Sequence, residues 1–225
     1  MIEIEILNLY ACLGGNRYKW DKVAKEYGIK IKVTAVELDP ELAKLYQERF
    51  PNDIVIVADA HQYLLDNYKK YAFVWTSPPC PTHSRLNTGN YLKETWIPRY
   101  PDMKLYEQII FLKHYYKGEY CVENVIPFYI PLIPGQKRER HIYWASFKIP
   151  TNISRDRNIK LGQDEKNEVK KLCEFHDYDF YKYKGTQRRD KVARNLVDYE
   201  AGRKIFEYAI RKINKQEPEP IGLFS

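Results

Sequence analysis

The chain repeats one unit four times: a short apolar run, a polar connection, and a stretch with helical periodicity. Ile2–Leu7 alternates as a strand should, and the Leu13-Gly14-Gly15-Asn16 turn leads into a helix expected near 17–27. Apolar runs at Ile31–Val36, Ile54–Val57 and Tyr71–Trp75 repeat the strand, with helices expected at Pro40–Phe50, at 61–69 and at Asp102–Tyr116. A fifth strand is expected at Tyr120–Glu123. Tyr71–Trp75 is apolar throughout, which fits a strand covered on both faces. Such alternation leaves few options, because parallel neighbours need a crossover and a helix supplies it. The expected fold class is α/β: a mostly parallel sheet with helices on both faces. One core of ordinary size suffices for 225 residues.

Two stretches break the rhythm. Thr76–Pro101 is rich in Pro, Gly and Asn and too long for an ordinary connection, and loops of that kind tend to carry function. Beyond Val125, Pro127, Pro131 and Pro134 precede a strand expected at His141–Phe147, a polar region from 150 to 190 and a last helix near 198–213.

Ligands of open α/β sheets sit at the carboxyl ends of the strands. Asn8, Tyr10, Gly14 and Gly15 follow the first strand, Glu37, Leu38 and Asp39 the second, and Asp59 and Ala60 the third. Ser77, Pro78, Pro79 and Cys80 follow the fourth, Glu123 and Asn124 the fifth. A Gly-Gly turn lets backbone approach a ligand, and an acid closing the second strand can hold both hydroxyls of a ribose. Each feature alone has an ordinary reading as a tight turn, a helix cap or a small buried thiol. Their placement at successive strand ends points to a nucleoside cofactor, and the missing GxGxxG disfavours a dinucleotide. A net charge of +7 and 20 tyrosines suit a phosphate-bearing partner whose bases stack on rings, without requiring one. Cys12, Cys80, Cys121 and Cys173 form no CxxC pair, so neither a zinc site nor a redox dithiol is expected. With no signal-peptide pattern and no membrane-length apolar run, a cytosolic protein is expected.

In order along the chain, these segments resemble the motifs of the DNA cytosine-C5 methyltransferase family. Asn8-Leu9-Tyr10-Ala11-Cys12-Leu13-Gly14-Gly15 resembles its D-L-F-A-G-x-G-G cofactor loop, Pro78-Pro79-Cys80 its P-P-C loop, and Glu123-Asn124-Val125 its E-N-V motif. Gln136-Lys137-Arg138-Glu139-Arg140 is similar to Q-x-R-x-R, and Asn195-Leu196-Val197 to the closing N-x-V. The resemblance implies a Rossmann-like methyltransferase fold with S-adenosyl-L-methionine as cofactor. Asn8, Tyr10, Gly14, Gly15 and Pro78 would shape the cofactor pocket, Glu37 and Leu38 would meet the ribose, Asp59 and Ala60 the adenine, and Asn195 would complete it. It also implies DNA as partner, with a cytosine flipped out of the stack. Cys80 would add to C6 of the base, Glu123 would bind N3, and Arg138 and Arg140 would bond the base carbonyl, the glutamate or phosphate.

The sequence departs from that pattern in several places. Asn8 stands where the family has an acid, and Cys12 and Arg194 stand where it has glycine. Only residues 125–135 separate Asn124 from Gln136, and about fifty residues separate Arg140 from Asn195, far fewer than the family's target-recognition region. The expected organisation is a catalytic and cofactor-binding domain over 1–149, a reduced recognition insert over 150–190, and a segment at 191–225 completing the catalytic domain. Asn152–Asp164 and Phe175–Arg189, with Phe180, Tyr181, Tyr183, Lys184, Arg188 and Arg189, are the candidates for base reading, and Ser84 and Arg85 for nucleic-acid contact. A partner subunit is the other possible source of specificity. His83 is expected to bond within its loop rather than act as a base. Three alternatives stay open: an amino-methyltransferase, because Ser77-Pro78-Pro79 also resembles an S-P-P-aromatic motif; an RNA cytosine-C5 methyltransferase; and a non-catalytic nucleic-acid-binding subunit.

Overall fold

Strand β1 (Glu3–Leu9) lies at the centre of a seven-stranded sheet, with Ile6, Leu7, Asn8 and Leu9 fully buried. The computed structural model describes residues 2–85, 97–156, 159 and 165–215. On one side of β1, β2 (Lys30–Glu37) and then β3 (Ile54–Val57) run parallel to it; on the other, β4 (Phe73–Thr76) and β5 (Glu119–Val125) do the same. A hairpin of β6 (Gln136–Arg138) and β7 (His141–Ala145) closes the sheet, with β7 antiparallel to β5, giving the order β3-β2-β1-β4-β5-β7-β6. The strand order reverses between β1 and β4, the point at which such sheets open a crevice for ligands.

Among the described residues the helices are α1 (Trp20–Glu26), α2 (Pro40–Arg49), α3 (Ala60–Asn67), α4 (Lys104–Tyr115), α5 (Glu165–His176), α6 (Arg189–Asn195) and α7 (Tyr199–Lys215). α1 and α7 cover one face, where Trp20 stacks on Phe206 at 4.8 Å between ring centroids. α3 and α4 cover the other through Leu64, Leu105, Ile109 and Leu112. Asp39 starts α2 by accepting from the Glu41 and Leu42 N–H groups ahead of Pro40, and Asp59 starts α3 by accepting from His61 N–H. Both strand-end acids are therefore also helix caps. Among the described residues, no helix is long and apolar enough to cross a membrane.

Several expectations need correction. The region 150–190 is not merely polar: α5 buries Val169, Leu172 and His176, a 3-4 spacing diluted by lysines and glutamates. With Phe180 and Tyr183 these residues form one core cluster with Leu13 and Leu42, so the insert packs on the loop after β1 and on α2. Phe180 and Tyr183 are thus core residues and are not available to stack on bases. β6 was not anticipated, since three polar residues on a sheet edge carry no apolar alternation. The strand expected at His141–Phe147 stops at Ala145, α1 starts at Trp20, and the helix expected at 61–69 ends as a 3-10 turn over Tyr68–Lys70. Of the candidate stretch Asn152–Asp164, residues 157, 158 and 160–164 lie outside the described residues, as does 86–96 of the long loop.

Candidate functional site

The carboxyl ends of β1, β2 and β3 open on a cavity of about 950 Å³. Tyr10, Glu37, Leu38, Asp59 and Ala60 line it as expected, and Gly185, Thr186 and Gln187 form a wall that the motifs did not foretell. Five acids face it, Glu37, Asp39, Glu41, Asp59 and Asp102, against Lys44 and Lys104. An acid-rich cavity without arginine suits a ligand that carries positive charge and opposes one that carries phosphates. Burial pushes the Glu37 carboxyl up, against the pull of the Asp39 and Cys12 N–H groups, which it accepts at 3.0 and 2.8 Å. The Asp59 carboxyl is held down by His61 N–H and by Lys104, 3.7 Å away. Tyr183 and Gln187 both donate to Asp39 Oδ2, at 3.0 and 3.2 Å, which draws the 183–187 wall onto the end of β2.

The loop after β1 is bent tightly. Tyr10 and Cys12 have φ of 54° and 47°, left-handed values that cost a non-glycine residue on the order of 1 kcal/mol each. Ala11 N–H to Val36 O at 3.1 Å and Cys12 N–H to Glu37 Oε2 hold this shape. A positive φ at Cys12 explains why glycine serves at this place in the family pattern.

Asn8, Gly14, Gly15, Pro78 and Asn195 do not line the cavity. Asn8 is buried and accepts from Asn16 Nδ2 at 2.8 Å while its own Nδ2 meets Tyr46 OH at 3.5 Å. An aspartate there would lose that donor and set a second buried carboxylate on the tyrosine that already donates to Asp53. The glycines serve protein packing: a Cβ on Gly14 would strike Phe50 and Tyr46, and one on Gly15 would strike Val197 O and Leu196. Asn195 itself is exposed, so the closing motif meets the β1 loop through Leu196 and Val197 instead. Gly15→Ala should therefore cost about 2 kcal/mol or more, because a backbone carbonyl cannot yield as a side chain can. Gly28→Ala, at φ 65° with open space around it, should cost only about 1 kcal/mol. Urea melts of the two variants check this; equal losses would mean that the Gly15–Val197 contact is not tight.

Cys80 is half-buried at the start of a turn, with its carbonyl accepting from His83 N–H and Ser84 N–H at 3.0 Å each. Three bonds fix this loop: Asn124 Nδ2 to Pro78 O at 2.9 Å, Asp102 N–H to Thr82 Oγ1 at 2.9 Å, and Phe128 N–H to His83 O at 3.0 Å. The first joins the E-N-V and P-P-C segments directly. Burial and the neighbouring Glu123 charge push the Cys80 thiol up to about 11, and Lys191 on α6 partly opposes them. His83 is buried, bonds Tyr129 OH through Nδ1, and is held down by burial, so it is a neutral loop residue.

The arginine pair divides. Arg138 does not reach Glu123: its donors go to Pro150 O at 2.6 Å, to Lys137 O at 2.7 Å and to Ile149 O. Gln136 shares that latch, bonding Phe147 O and Ile149 N–H at 2.8 Å each. The reason is the pleat, which turns Gln136 and Arg138 to the same face of an edge strand. Arg140 sits exposed in the hairpin turn. His141, which no motif singled out, places Nε2 3.5 Å from Glu123 Oε1. Gln108 on α4 was also missed. Buried, it donates to Tyr10 OH at 2.7 Å and accepts from Thr76 Oγ1 at 2.7 Å, tying the β1 loop to β4.

No protein-family model and no curated protein sequence matches this chain. Solved structures do. The methyltransferase EhMeth of Entamoeba histolytica aligns with 95% of this chain and 99% of its own, at 9% identity and a TM-score of 0.55. A DNMT2 variant from Spodoptera frugiperda aligns with 94% of this chain and 100% of its own, at 14% identity and a TM-score of 0.48. The chain has the Rossmann-like fold of S-adenosylmethionine-dependent methyltransferases. Identities this low establish the fold and leave the chemistry to the site.

Proposed function

We propose that this chain is an S-adenosylmethionine-dependent methyltransferase that methylates C5 of cytosine in DNA through a covalent bond from Cys80 to C6. One observation carries the reading: Pro79 lines the acidic cavity, and the next residue, Cys80, lies within the field of Glu123. A cofactor pocket and a thiol–carboxyl pair thus adjoin at a single peptide bond. The cavity fits S-adenosylmethionine, with Glu37 to hold the ribose and Asp59 the adenine, and its acids suit a cationic ligand. When bound there, the cofactor supplies a methyl group activated by a sulfonium.

The chain's own groups then act on the base. The Cys80 thiol gives its proton to the Glu123 carboxylate, and Sγ adds to C6 while Glu123 passes that proton to N3, which leaves C5 electron-rich. C5 takes the methyl as the methyl–sulfur bond breaks, the electron pair staying on sulfur. C5 then loses its proton to water, the Sγ–C6 bond breaks to restore the C5–C6 double bond, and N3 returns its proton through Glu123 to the Cys80 thiolate. A flipped base is required, since C6 is shielded in the stack. Exposed basic residues support a phosphate-bearing substrate: Lys137 and Arg140 on the hairpin, Lys184 and Arg189 in the insert, and Lys191 on α6, whose charge acts on Cys80. With Phe180 and Tyr183 in the core, Tyr181, Lys184, Arg188 and Arg189 are the exposed candidates for base reading among the described residues of the insert. Site preference is then short, or set by a partner subunit.

The test is a mixed-sequence duplex carrying 5-fluorocytosine, incubated with labelled cofactor. Fluorine at C5 cannot leave as a proton, so wild type should be trapped as a covalent complex through Cys80, and Cys80→Ser should trap nothing. A Cys80→Ser variant that methylates DNA at the wild-type rate would turn the assignment to an exocyclic amine. Trapping on RNA alone would move the substrate to RNA.

A further inference from the structure

We infer that His141 is the positioning residue for Glu123, standing beside that carboxyl; the inference rests on the cytosine-C5 reading above. The register of the β5–β7 pair places it there. Tyr143 lies opposite Glu123 and His141 opposite Val125, so both rings rise on the Glu123 side, 6.3 Å apart. His141 Nε2 comes within 3.5 Å of Glu123 Oε1, and the Glu123 side chain is only 10% exposed. Of the two arginines expected near the site, Arg138, opposite His141 in the register, has its guanidinium latched to the backbone of 149–150, and Arg140 is exposed in the hairpin turn.

The groups around Glu123 can be named element by element. Cys80 faces it from the nucleophile loop, Cys121 from its own strand, and Tyr143 and His141 from β7. Burial pushes the Cys121 thiol and the Tyr143 phenol well up, so both stay neutral, and Cys80 stays a thiol until well above neutrality. That leaves His141, among the described residues around Glu123, as the neighbour able to carry a positive charge beside the carboxyl. As an imidazolium it orients the carboxyl and balances the negative charge left on Glu123 after its proton has gone to N3. When N3 returns that proton at the end of the cycle, the pair is restored with no net proton taken up by His141.

The experiment follows the rate of 5-fluorocytosine trapping at one fixed pH and saturating cofactor, for wild type, His141→Gln and His141→Arg, with melts to show that each folds. His141→Gln should trap at least about tenfold more slowly than wild type, the scale of a lost charge-assisted contact. His141→Arg keeps a cation beside Glu123, so it should recover most of the wild-type rate. A purely structural role would not be rescued by arginine, which differs from imidazole in size and shape. His141→Gln with the wild-type rate overturns the proposal, and so does His141→Arg as slow as His141→Gln. If wild type traps nothing, the cytosine-C5 reading fails and this proposal falls with it; the two failures are distinguished by whether wild type traps.

Discussion

Glu123→Gln should speed alkylation of Cys80 in the free chain and, in the same preparation, slow methyl transfer. The two effects have opposite signs because Glu123 acts on two different reacting atoms. In the free chain its charge is the second cause, after burial, that pushes the thiol up to about 11. At pH 7.5 a thiol at that level is ionised to roughly one part in three thousand, which makes it nearly inert to iodoacetamide. Gln removes the charge but not the burial, so the thiol should fall part of the way toward its ordinary value, and alkylation should quicken by about two- to tenfold. The sign is fixed: removing a negative neighbour favours the thiolate. During methyl transfer the loss is of the proton that goes to N3, and removing a general acid of this kind costs about 10²–10⁴ in rate. Alkylation at a fixed pH, followed by mass spectrometry of the Cys80 peptide, reads the first effect, and single-turnover transfer of labelled methyl reads the second. Slower alkylation would place Glu123 away from the thiol, and unchanged transfer would remove it from the reaction. General damage would also expose Cys80 and slow transfer, but it would lower the melting temperature, so an unchanged melt assigns both effects to the lost charge and proton.

How much of this was legible in the sequence depends on what each pattern encodes. Apolar runs mark parallel central strands, so β1 to β5 lay within a residue or two of expectation, and β3 matched at Ile54–Val57. Strand ends follow from strands, which is why Tyr10, Glu37, Leu38, Asp59 and Ala60 lie together on one cavity. Side-chain direction is another matter. Gln136 and Arg138 fit a motif by spacing, yet an edge strand of three residues turns both toward the 147–150 backbone, and no spacing rule reports that. Gly14 and Gly15 signal close approach correctly, but what approaches them is Tyr46, Phe50 and Val197 rather than a ligand. His141 and Gln108 were invisible because each depends on a partner distant in sequence: the β5 register for one, Thr76 and Tyr10 for the other. Arg194, which departs from the family's glycine, has a structural reason in its ion pair to buried Glu168 at 2.7 Å, which ties α6 to α5, and in a second to buried Asp190 one turn back at 3.1 Å.

The largest loss of stability expected from one substitution is at Asp53, a residue with no place in any motif. Its carboxylate grips the Arg17 guanidinium at two points, Nη2 to Oδ1 at 2.9 Å and Nε to Oδ2 at 3.0 Å, with both side chains less than 5% exposed. Tyr46 OH donates to the same carboxylate at 2.8 Å and connects it to Asn8 in β1. Burial alone would lower Arg17, but the hydrogen bonds and charge of Asp53 overcome it and hold the guanidinium firmly protonated. Asp53→Ala leaves that buried cation with Asp21 alone, a carboxylate 68% exposed to water. Breaking a buried pair from one side costs about 3–5 kcal/mol, against a total of about 5–15 kcal/mol for a domain, so a drop of roughly 10 °C in melting temperature is expected at this size. Asp21→Ala should cost under about 1 kcal/mol, as exposed ion pairs do. The double variant Arg17→Met with Asp53→Ala should recover part of the loss, because it removes the stranded charge as well as its partner. Thermal melts of the three variants decide: a double variant no more stable than Asp53→Ala alone would mean that the cost is packing rather than an uncompensated charge. Since the same network fixes the bend from Asn8 to Arg17, Asp53→Ala should also weaken cofactor binding at temperatures where the chain is still folded, which places a purely structural pair upstream of the site it shapes.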